Sequence, residues 1–326
     1  PSLLTAAWPD RVAQRRGNTH HYLLASGQGV ELHREDHLGT SEYLVAPHIG
    51  GQQSRSNAQV FLACPVSKAD IYEELAELIE EEEVIAWNPQ KQRVTATRQD
   101  RLGALVLEQQ NLEKPSEASV AKALMEGIRQ SDLQLLPWDK AANRLKQRLV
   151  FLSQYNPHLD TPFPDCSHSA LMDTLEQWVG PYLVGITRAE QLKKLKLADL
   201  LLSQLTWSQQ KTLDEQAPDH WQTPSGSRIR INYDHPEEPV ISVRLQELFG
   251  LQETPMIAFH RQPLTIELLS PAHRPVQITR DLGSFWKNTY HEVKKDLKGR
   301  YPKHYWPDDP HTAEPTHRVR PGKSGK

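Results

Sequence analysis

Residues 11–16 read Arg-Val-Ala-Gln-Arg-Arg, and they open a series of short strands that decides the fold of the N-terminal part. Apolar runs follow at residues 21–33, 42–49 and 59–66, with glycine, asparagine and serine between them. Short strands with such punctuation are typical of a small β-barrel. The pattern therefore predicts that the chain begins with a barrel.

A helix and a second set of strands follow this series. Ser67 can cap the helix, and the acidic run Glu80–Glu83 leads into a hairpin with its turn at Asn88–Lys91. An apolar strand at residues 102–107 completes the set. Strands, one helix and more strands predict an OB-like barrel over residues 1–114, although a different small barrel would show the same pattern.

The remaining residues change character twice. Helical periodicity dominates residues 115–220, which we predict to be a helical middle segment. Alternating and helical stretches mix over residues 221–310, where we expect an α+β domain with a short helix at Val243–Phe249 and a closing helix at Asp281–Leu297. Residues 311–326 are rich in proline, histidine and arginine, so we expect a disordered tail. The predicted fold class is a multidomain α+β protein.

Composition limits the classes of function. The 326 residues suggest two or three domains, and the net charge of −3 means that attraction to nucleic acid would come from local patches. The two cysteines cannot form a disulfide framework or a cysteine-rich zinc site. No apolar run approaches the length of a membrane span, so we expect no membrane partner and a cytoplasmic location. Because the chain begins with Pro1, we expect a piece of a longer or processed protein.

Catalytic motifs are missing from the sequence. It has no Gly-x-x-x-x-Gly-Lys-Ser/Thr loop, no Gly-x-Gly-x-x-Gly, no Gly-x-Ser-x-Gly and no His-Glu-x-x-His. Three constellations could still suggest chemistry, namely Asp165–His168, His20–His21 and Pro224–Arg228. We interpret the first as a loop that caps a helix and the third as the turn before a strand, and adjacent strand histidines point to opposite faces. We therefore predict no catalytic residue, no metal site and no cofactor in this chain.

Signals for nucleic acid are local. Arg15 and Arg16 lie on the first barrel strand, and such barrels bind single strands through basic side chains and exposed rings. A second group of cations and rings lies between Arg274 and Asp309. We expect the rings there to anchor a core and some cations to meet phosphates. The predicted phosphate contacts are Arg15, Arg16, Lys294, Lys295, Arg300 and Lys303.

Two groups of segments resemble a known family. Pro9–Arg16 followed by Tyr22–Gly29 resembles the start of the OB-like domain of DEAH-box RNA helicases. Later segments together resemble the C-terminal region of bacterial ATP-dependent helicases of the HrpB type. They are Trp178–Leu183, Pro224–Arg228, Val243–Gly250, Leu268–Pro271, Arg274–Gln277, Asp281–Leu282, Phe285–Trp286 and Gly299–His304. In one departure, relatives tend to carry glycine before an Arg-x-Pro, where this chain has Phe259 and His260.

The resemblance implies a parent protein with two RecA-like motor domains, a winged helix and a helical bundle before Pro1. That motor would use ATP and Mg²⁺ and move along RNA, and none of its catalytic residues falls in this chain. In related helicases the OB-like domain sits over the RNA channel and contacts the motor. The implied partners are single-stranded RNA and the helicase core. A protein-binding scaffold that never touches RNA is the alternative, favoured by the net negative charge and by the run Glu80–Glu83.

Overall fold

The structure is a computed structural model that describes residues 2–50 and 57–322. The chain divides into two compact units. The first consists of Pro1–Gly127 and Val184–Ala189, and the second of Ile128–Leu183 and Glu190–Lys326. Most of the predicted helical middle segment thus shares a unit with the terminal α+β region, whereas its residues 115–127 and 184–189 belong to the first unit. Each unit mixes helices with sheets. The mixed α+β class is confirmed.

A closed five-stranded barrel forms the start of the first unit. Its strand order is β1-β2-β3-β5-β4, with β3 parallel to β5 and the other pairs antiparallel. Val12 and Val45 face each other across β1 and β4, and both are fully buried. The predicted loop Gly50–Asn57 lies mostly outside the described residues. The strands are β1 (Val12–Arg15), β2 (His21–Leu24), β3 (Gly29–Glu31), β4 (Tyr43–Gly50) and β5 (Ala58–Val66).

Helix α2 (Lys68–Glu74) follows the barrel and begins where the sequence predicted. The backbone N–H of Asp70 donates to the Ser67 hydroxyl, and the Asp70 carboxylate accepts from the Ser67 backbone, which completes a capping box. Hydrogen bonds from Ser67 hold the pKa of the Asp70 carboxyl below its usual range. Ile71 lies on the buried face of the helix and packs against the barrel core. Helix α1 (Ser2–Ala7) precedes the barrel.

The later strands do not join the barrel, and the prediction of one barrel over residues 1–114 is wrong in this respect. Because β4 pairs with both β1 and β5, the barrel has closed before α2 and leaves no edge for another strand. The acidic run Glu80–Glu83 lies within the first of the later strands, opposite Arg98 and Arg101. A separate sheet, here called the β6–β8 sheet, consists of β6 (Glu80–Asn88), β7 (Arg93–Leu102) and β8 (Leu105–Asn111).

The middle of the chain is mainly helical, as predicted. Leu145, Leu149 and Leu152 form a buried stripe on one helix, with exposures of 7%, 0% and 0%. Leu124 and Ile128 are fully buried on the helix before it. The helices are α3 (Glu117–Gln130), α4 (Lys140–Ser153), α5 (His168–Asp173), α6 (Leu175–Trp178), α7 (Ala189–Leu192), α8 (Leu197–Leu202) and α9 (Trp207–Gln216).

A five-stranded sheet organises the terminal α+β region in the order β15-β14-β11-β10-β9. Strands β11 and β14 are parallel, and the other neighbours are antiparallel. The strands are β9 (His220–Gln222), β10 (Arg228–Asn232), β11 (Val240–Arg244), β14 (Thr265–Leu269) and β15 (Pro275–Thr279), with a small hairpin of β12 (Met256–Ile257) and β13 (Gln262–Pro263). The closing helix, predicted from Asp281, forms as α10 (Leu282–Ser284), a π-helical turn and α11 (Tyr290–Arg300).

The helix predicted at Val243–Phe249 is wrong in its first half. Val243 and Arg244 belong to β11, and only Leu245–Leu248 form a 3₁₀ turn. All four residues of that turn are buried, so they lack the exposed face of an amphipathic helix. Pairing of β11 with β14 overrides the local pattern.

A tight left-handed turn lies at Ala258–His260, directly before the Arg-x-Pro segment. Ala258, Phe259 and His260 have φ values of 48°, 59° and 57°, in the region that favours glycine. The N–H groups of Ala258 and Phe259 donate to the backbone and side-chain oxygens of Gln216, at 2.9 and 2.7 Å. The bulky pair therefore does not prevent the turn, which Gln216 holds in place.

The structure describes the tail, predicted to be disordered, through residue 322, and it gives the tail backbone hydrogen-bond partners. The N–H of Thr316 donates to the carbonyl of Gln246 at 3.0 Å, and the Gln246 amide donates to the carbonyl of Arg318 at 2.6 Å. Ala313 and Thr316 are 8% and 5% exposed. Composition indicated disorder because the tail lacks a core of its own, but its backbone finds partners on another segment. Residues 323–326 lie outside the described part of the chain.

Candidate nucleic-acid interface

The rings of Trp286, Tyr290 and Trp306 in the C-terminal stretch are in the core, as predicted, whereas Tyr301 and Tyr305 are half-buried. Trp286 and Tyr290 are 1% and 0% exposed, and Trp306 is 9% exposed. The Trp286 indole donates to the carbonyl of Leu251 at 2.7 Å, and the Tyr290 hydroxyl donates to that of Pro307 at 2.8 Å. Burial raises the pKa of Tyr290. These rings are not available to stack on bases.

The predicted cations of the same stretch fall into two groups. The Lys294 ammonium donates to Asp308, and the side chain is only 13% exposed. This contact holds the pKa of the Asp308 carboxyl below its usual range. Arg300 pairs with Asp296 one turn away on the same helix. Lys295 and Lys303 are exposed, and within the described residues their ammonium groups have no hydrogen-bond or ion-pair partner.

The two barrel arginines also differ. The guanidinium of Arg15 folds back and donates to the carbonyls of Gly17 and Gly39, at 2.9 and 3.2 Å, and to the Asn18 side chain at 3.0 Å. Arg16 directly follows β1, is exposed, and has no side-chain partner among the residues that the structure describes. Of the two, only Arg16 is free to meet a phosphate without breaking existing bonds.

A cationic cavity that the sequence did not predict opens on the β6–β8 sheet. Its volume is about 480 Å³. Lys91, Arg93 and Arg188 lie among its lining residues, and no carboxylate does. Two contacts bring Arg188 to the sheet: Val94 N–H donates to the carbonyl of Thr187 at 2.8 Å, and Arg93 and Arg188 form an antiparallel bridge. The pairing of residues 187–189 with a strand so far away along the chain leaves no local sequence signal.

The Asp-Cys-x-His loop lacks the geometry of a nucleophile and its base. Cys166 is fully buried, and burial raises the pKa of its thiol to about 12. The thiol therefore stays protonated at neutral pH. His168 is half-exposed and its ring faces Asp132, with 2.6 Å between Nε2 and Oδ1. The Asp165 carboxylate accepts from the N–H of Ser167, whose hydroxyl accepts from Ala170 N–H at the start of α5.

The remaining two constellations are structural. The turn at Pro224–Arg228 joins β9 to β10, and its N–H groups at Gly226 and Ser227 are bonded to Thr223. They are therefore not free to bind an anion. His21 lies 3.6 Å from Glu31 and 3.3 Å from the Asn57 amide. Among the described residues, no group of three or more histidines, cysteines and carboxylates is placed to hold a metal ion. In the same part of the chain, no helix has both the length and the apolar character that crossing a membrane requires.

Two protein families match parts of this chain. The family described as "ATP-dependent helicase C-terminal" matches residues 178–310. The family described as "ATP-dependent RNA helicase HrpB, connector region" matches residues 78–112, which is almost the same range as the β6–β8 sheet. The two matches together leave the barrel outside their ranges.

Whole proteins give a wider match. The ATP-dependent RNA helicase HrpB of Escherichia coli (strain K12) is 39% identical over 318 residues, which are 98% of this chain and 39% of the relative. A crystal structure of the E. coli DExH-box NTPase HrpB matches with a TM-score of 0.63 and 39% identity, covering 97% of this chain and 39% of that one. A crystal structure of the Escherichia coli DEAH/RHA helicase HrpB matches with a TM-score of 0.54 and 37% identity, covering 94% and 38%. The chain thus spans about two fifths of the length of these relatives.

Proposed function

We propose that this chain, which is homologous to the C-terminal region of HrpB helicases, is the accessory part of an ATP-dependent RNA helicase. In this role it contacts RNA beside the motor and braces the helicase core. ATP and Mg²⁺ act in the motor, whose motifs are not found in this sequence. The relative's name, ATP-dependent RNA helicase, supports RNA as the partner.

The observation that carries the RNA contact is the position of Arg16 on the barrel. The closed five-stranded barrel of order β1-β2-β3-β5-β4 is compatible with the OB-like barrel that we predict, and the first and fourth loops of OB-like barrels bind oligonucleotides. Arg16 is exposed in the first of these loops, between β1 and β2. An arginine there can meet a phosphate without first giving up an intramolecular bond.

The six predicted cations contribute unequally under this proposal. Arg16, Lys295 and Lys303 are the primary phosphate contacts because their charges are unpaired among the described residues. Lys294 and Arg300 would first leave Asp308 and Asp296, and Arg15 would leave its acceptors on Gly17, Asn18 and Gly39. The secondary contacts therefore add less affinity.

RNA binding by the chain, titrated against salt, tests this proposal. We expect single-stranded RNA to bind more tightly than a duplex, with an affinity that falls as salt rises. Arg16→Gln should lower the salt slope by about 0.7, the value for one contact to a single strand. Arg11→Gln is the matched control because Arg11 already lies 3.4 Å from Asp10. No detectable RNA binding at low salt would reject the proposal.

A protein-binding scaffold is the second candidate function. Phe61 and Leu62 on β5 are 62% and 59% exposed, and neighbouring exposed apolar side chains are typical of a contact surface. Under this alternative, any residual affinity of the chain for RNA and its salt slope are the same in the natural chain and in the triple variant Arg16→Gln, Lys295→Gln, Lys303→Gln. A loss of slope in that variant favours the RNA-binding function instead.

A further inference from the structure

The β6–β8 cavity gathers positive charge in an unusual arrangement. Arg93 and Arg188 face each other across an antiparallel bridge, and like charges in such a pair repel. Lys91 lies among the same lining residues. Within the described part of the chain, neither the Lys91 ammonium nor the Arg93 guanidinium has a hydrogen-bond or ion-pair partner. An anion between the two arginines would turn this repulsion into attraction on both sides.

Uncharged polar side chains extend from this cationic end along one face of the sheet. Because side chains alternate along a strand, Thr95, Thr97 and Gln99 share the face of Arg93 on β7. The register places Asn111 opposite Thr97 and Gln109 opposite Gln99. The row from Arg93 to Gln99 is about 20 Å long at 3.4 Å per residue. It offers both donors and acceptors, which suit ribose hydroxyls and base edges.

The two ends of this polar row differ in charge. The Gln99 amide donates to Thr97 and to Gln109, at 3.3 and 3.2 Å, so the end of the row away from Arg93 is pre-organised. Glu82 lies beyond it, opposite Gln99, and pairs with Arg101 at 3.5 Å. A phosphate is therefore attracted at the Arg93 end, whereas the paired Glu82 and Arg101 leave the other end close to neutral.

We propose that the β6–β8 cavity binds a short segment of single-stranded RNA, with a phosphate between Arg93 and Arg188 and nucleosides along the polar row. No aromatic ring lines the cavity, so recognition rests on hydrogen bonds and charge with little base stacking. This inference rests on the proposed RNA-binding function and gives it a second, separate site. An acidic peptide is the competing occupant because carboxylates would also suit the arginines.

Binding of fluorescein-labelled oligouridylate to the full 326-residue chain tests the inference. The double variant Lys91→Gln, Arg93→Gln should bind about tenfold more weakly at low salt, with a salt slope lowered by about 1.4 for two lost contacts. Arg98→Gln is the matched control: it lies on the opposite face of β7 and is paired with Glu81 and Glu83. Thr95→Val should weaken binding without changing the slope, since it removes a hydroxyl and no charge. Circular dichroism melting checks that each variant is folded.

The outcomes separate this inference from the proposed function. If the natural chain binds RNA and the double variant binds it equally well, the cavity is not an RNA site, while the proposed function stands. An equal loss of RNA affinity in Arg98→Gln would also overturn the inference, because it would show that binding depends only on the total charge of the chain. A variant that loses affinity for labelled polyglutamate but not for RNA would assign the cavity to a protein partner. Failure of the natural chain to bind RNA at all would reject the proposed function itself.

Discussion

The terminal helical region from Leu282 to Arg300 and the β6–β8 sheet are both rich in cations, yet they use them differently. On the terminal helix, Lys294 and Arg300 are matched with carboxylates, and the preceding rings of Phe285, Trp286 and Tyr290 are buried in the core. On the sheet, Lys91 and Arg93 line a cavity with Arg188 and no carboxylate. The denser basic sequence therefore has two of its cations neutralised by nearby carboxylates, whereas the cavity collects its cations with no carboxylate in its lining.

The difference shows what a run of basic residues indicates. Asp296 and Asp308 lie within the same stretch as the lysines, so folding brings partners to them. The cavity collects its charge from two distant segments, around Arg93 and Arg188. A carboxylate near in sequence neutralises a cation, whereas cations from separate segments add to one field.

The largest expected effect concerns the core of the terminal region. Trp286→Ala should lower the free energy of unfolding by about 3–5 kcal/mol, because it empties a fully buried site and leaves the Leu251 carbonyl unpaired. Urea unfolding measures the change. A loss of less than about 1 kcal/mol would contradict the core role of the ring and would reopen base stacking there.

The second-largest expected effect on stability concerns Gly127, which packs against Trp87 of the β6–β8 sheet. A Cβ at Gly127 would lie 2.4 Å from the ring of Trp87 on β6, so Gly127→Ala forces the ring to move. We expect a loss of about 1–3 kcal/mol, as for other overpacked sites. Gly127→Ala combined with Trp87→Leu should recover part of it. If Gly127→Ala unfolds at the same urea concentration as the natural chain, the close packing on this sheet is disproved.

Substitution of Gly299 in the terminal helix by alanine should have the opposite effect on stability. Gly299 lies in α11, and no heavy atom lies within 4 Å of a Cβ built there. Gly299→Ala should therefore raise the free energy of unfolding by about 0.5–1 kcal/mol, since alanine loses less backbone freedom in a helix. Thermal melting of Gly127→Ala and Gly299→Ala measures whether each change lowers or raises stability. A lower melting temperature for Gly299→Ala would show a crowded helix end.

The smallest effect concerns the ion pair of Lys294. Because the pKa of Asp308 is lower in the folded chain than its ordinary value of 3.8, the carboxylate stabilises the fold above that value. This contribution is lost as the pH falls through the folded pKa, and the exposed Asp308 keeps it small. Unfolding measured from neutral pH to below pH 3.8 should show the natural chain and Asp308→Asn converging on acidification. If the stabilities of the natural chain and Asp308→Asn stay parallel over this pH range, the Lys294–Asp308 pair does not stabilise the fold.

Local signals were enough for much of the fold. The capping box at Ser67, the hairpin around Asn88–Lys91 and the closing helix all follow from short-range patterns, as does the burial of Trp286. The closure of the barrel before α2 depends on which strands pair over a long distance, and no local pattern specifies that. The same holds for the buried 3₁₀ turn at Leu245–Leu248.

The candidate site was less predictable than the fold. The sequence predicted Arg16, Lys295 and Lys303 as phosphate contacts, but whether their charges are unpaired depends on which neighbours fold against them. The cavity was missed because Arg188 reaches Arg93 only through tertiary pairing of residues 187–189. Ion pairs and cavities are properties of the folded chain, so they become visible only when the distant segments are placed together.

Photocross-linking tests the contrast between the two regions most directly. The full chain is irradiated with oligouridylate that carries a photoreactive uridine, and the linked peptides are identified by mass spectrometry. The account predicts links within β7, around Arg93–Gln99, and fewer within α11. Links confined to Tyr290–Lys303, with none on the β6–β8 sheet, would contradict it.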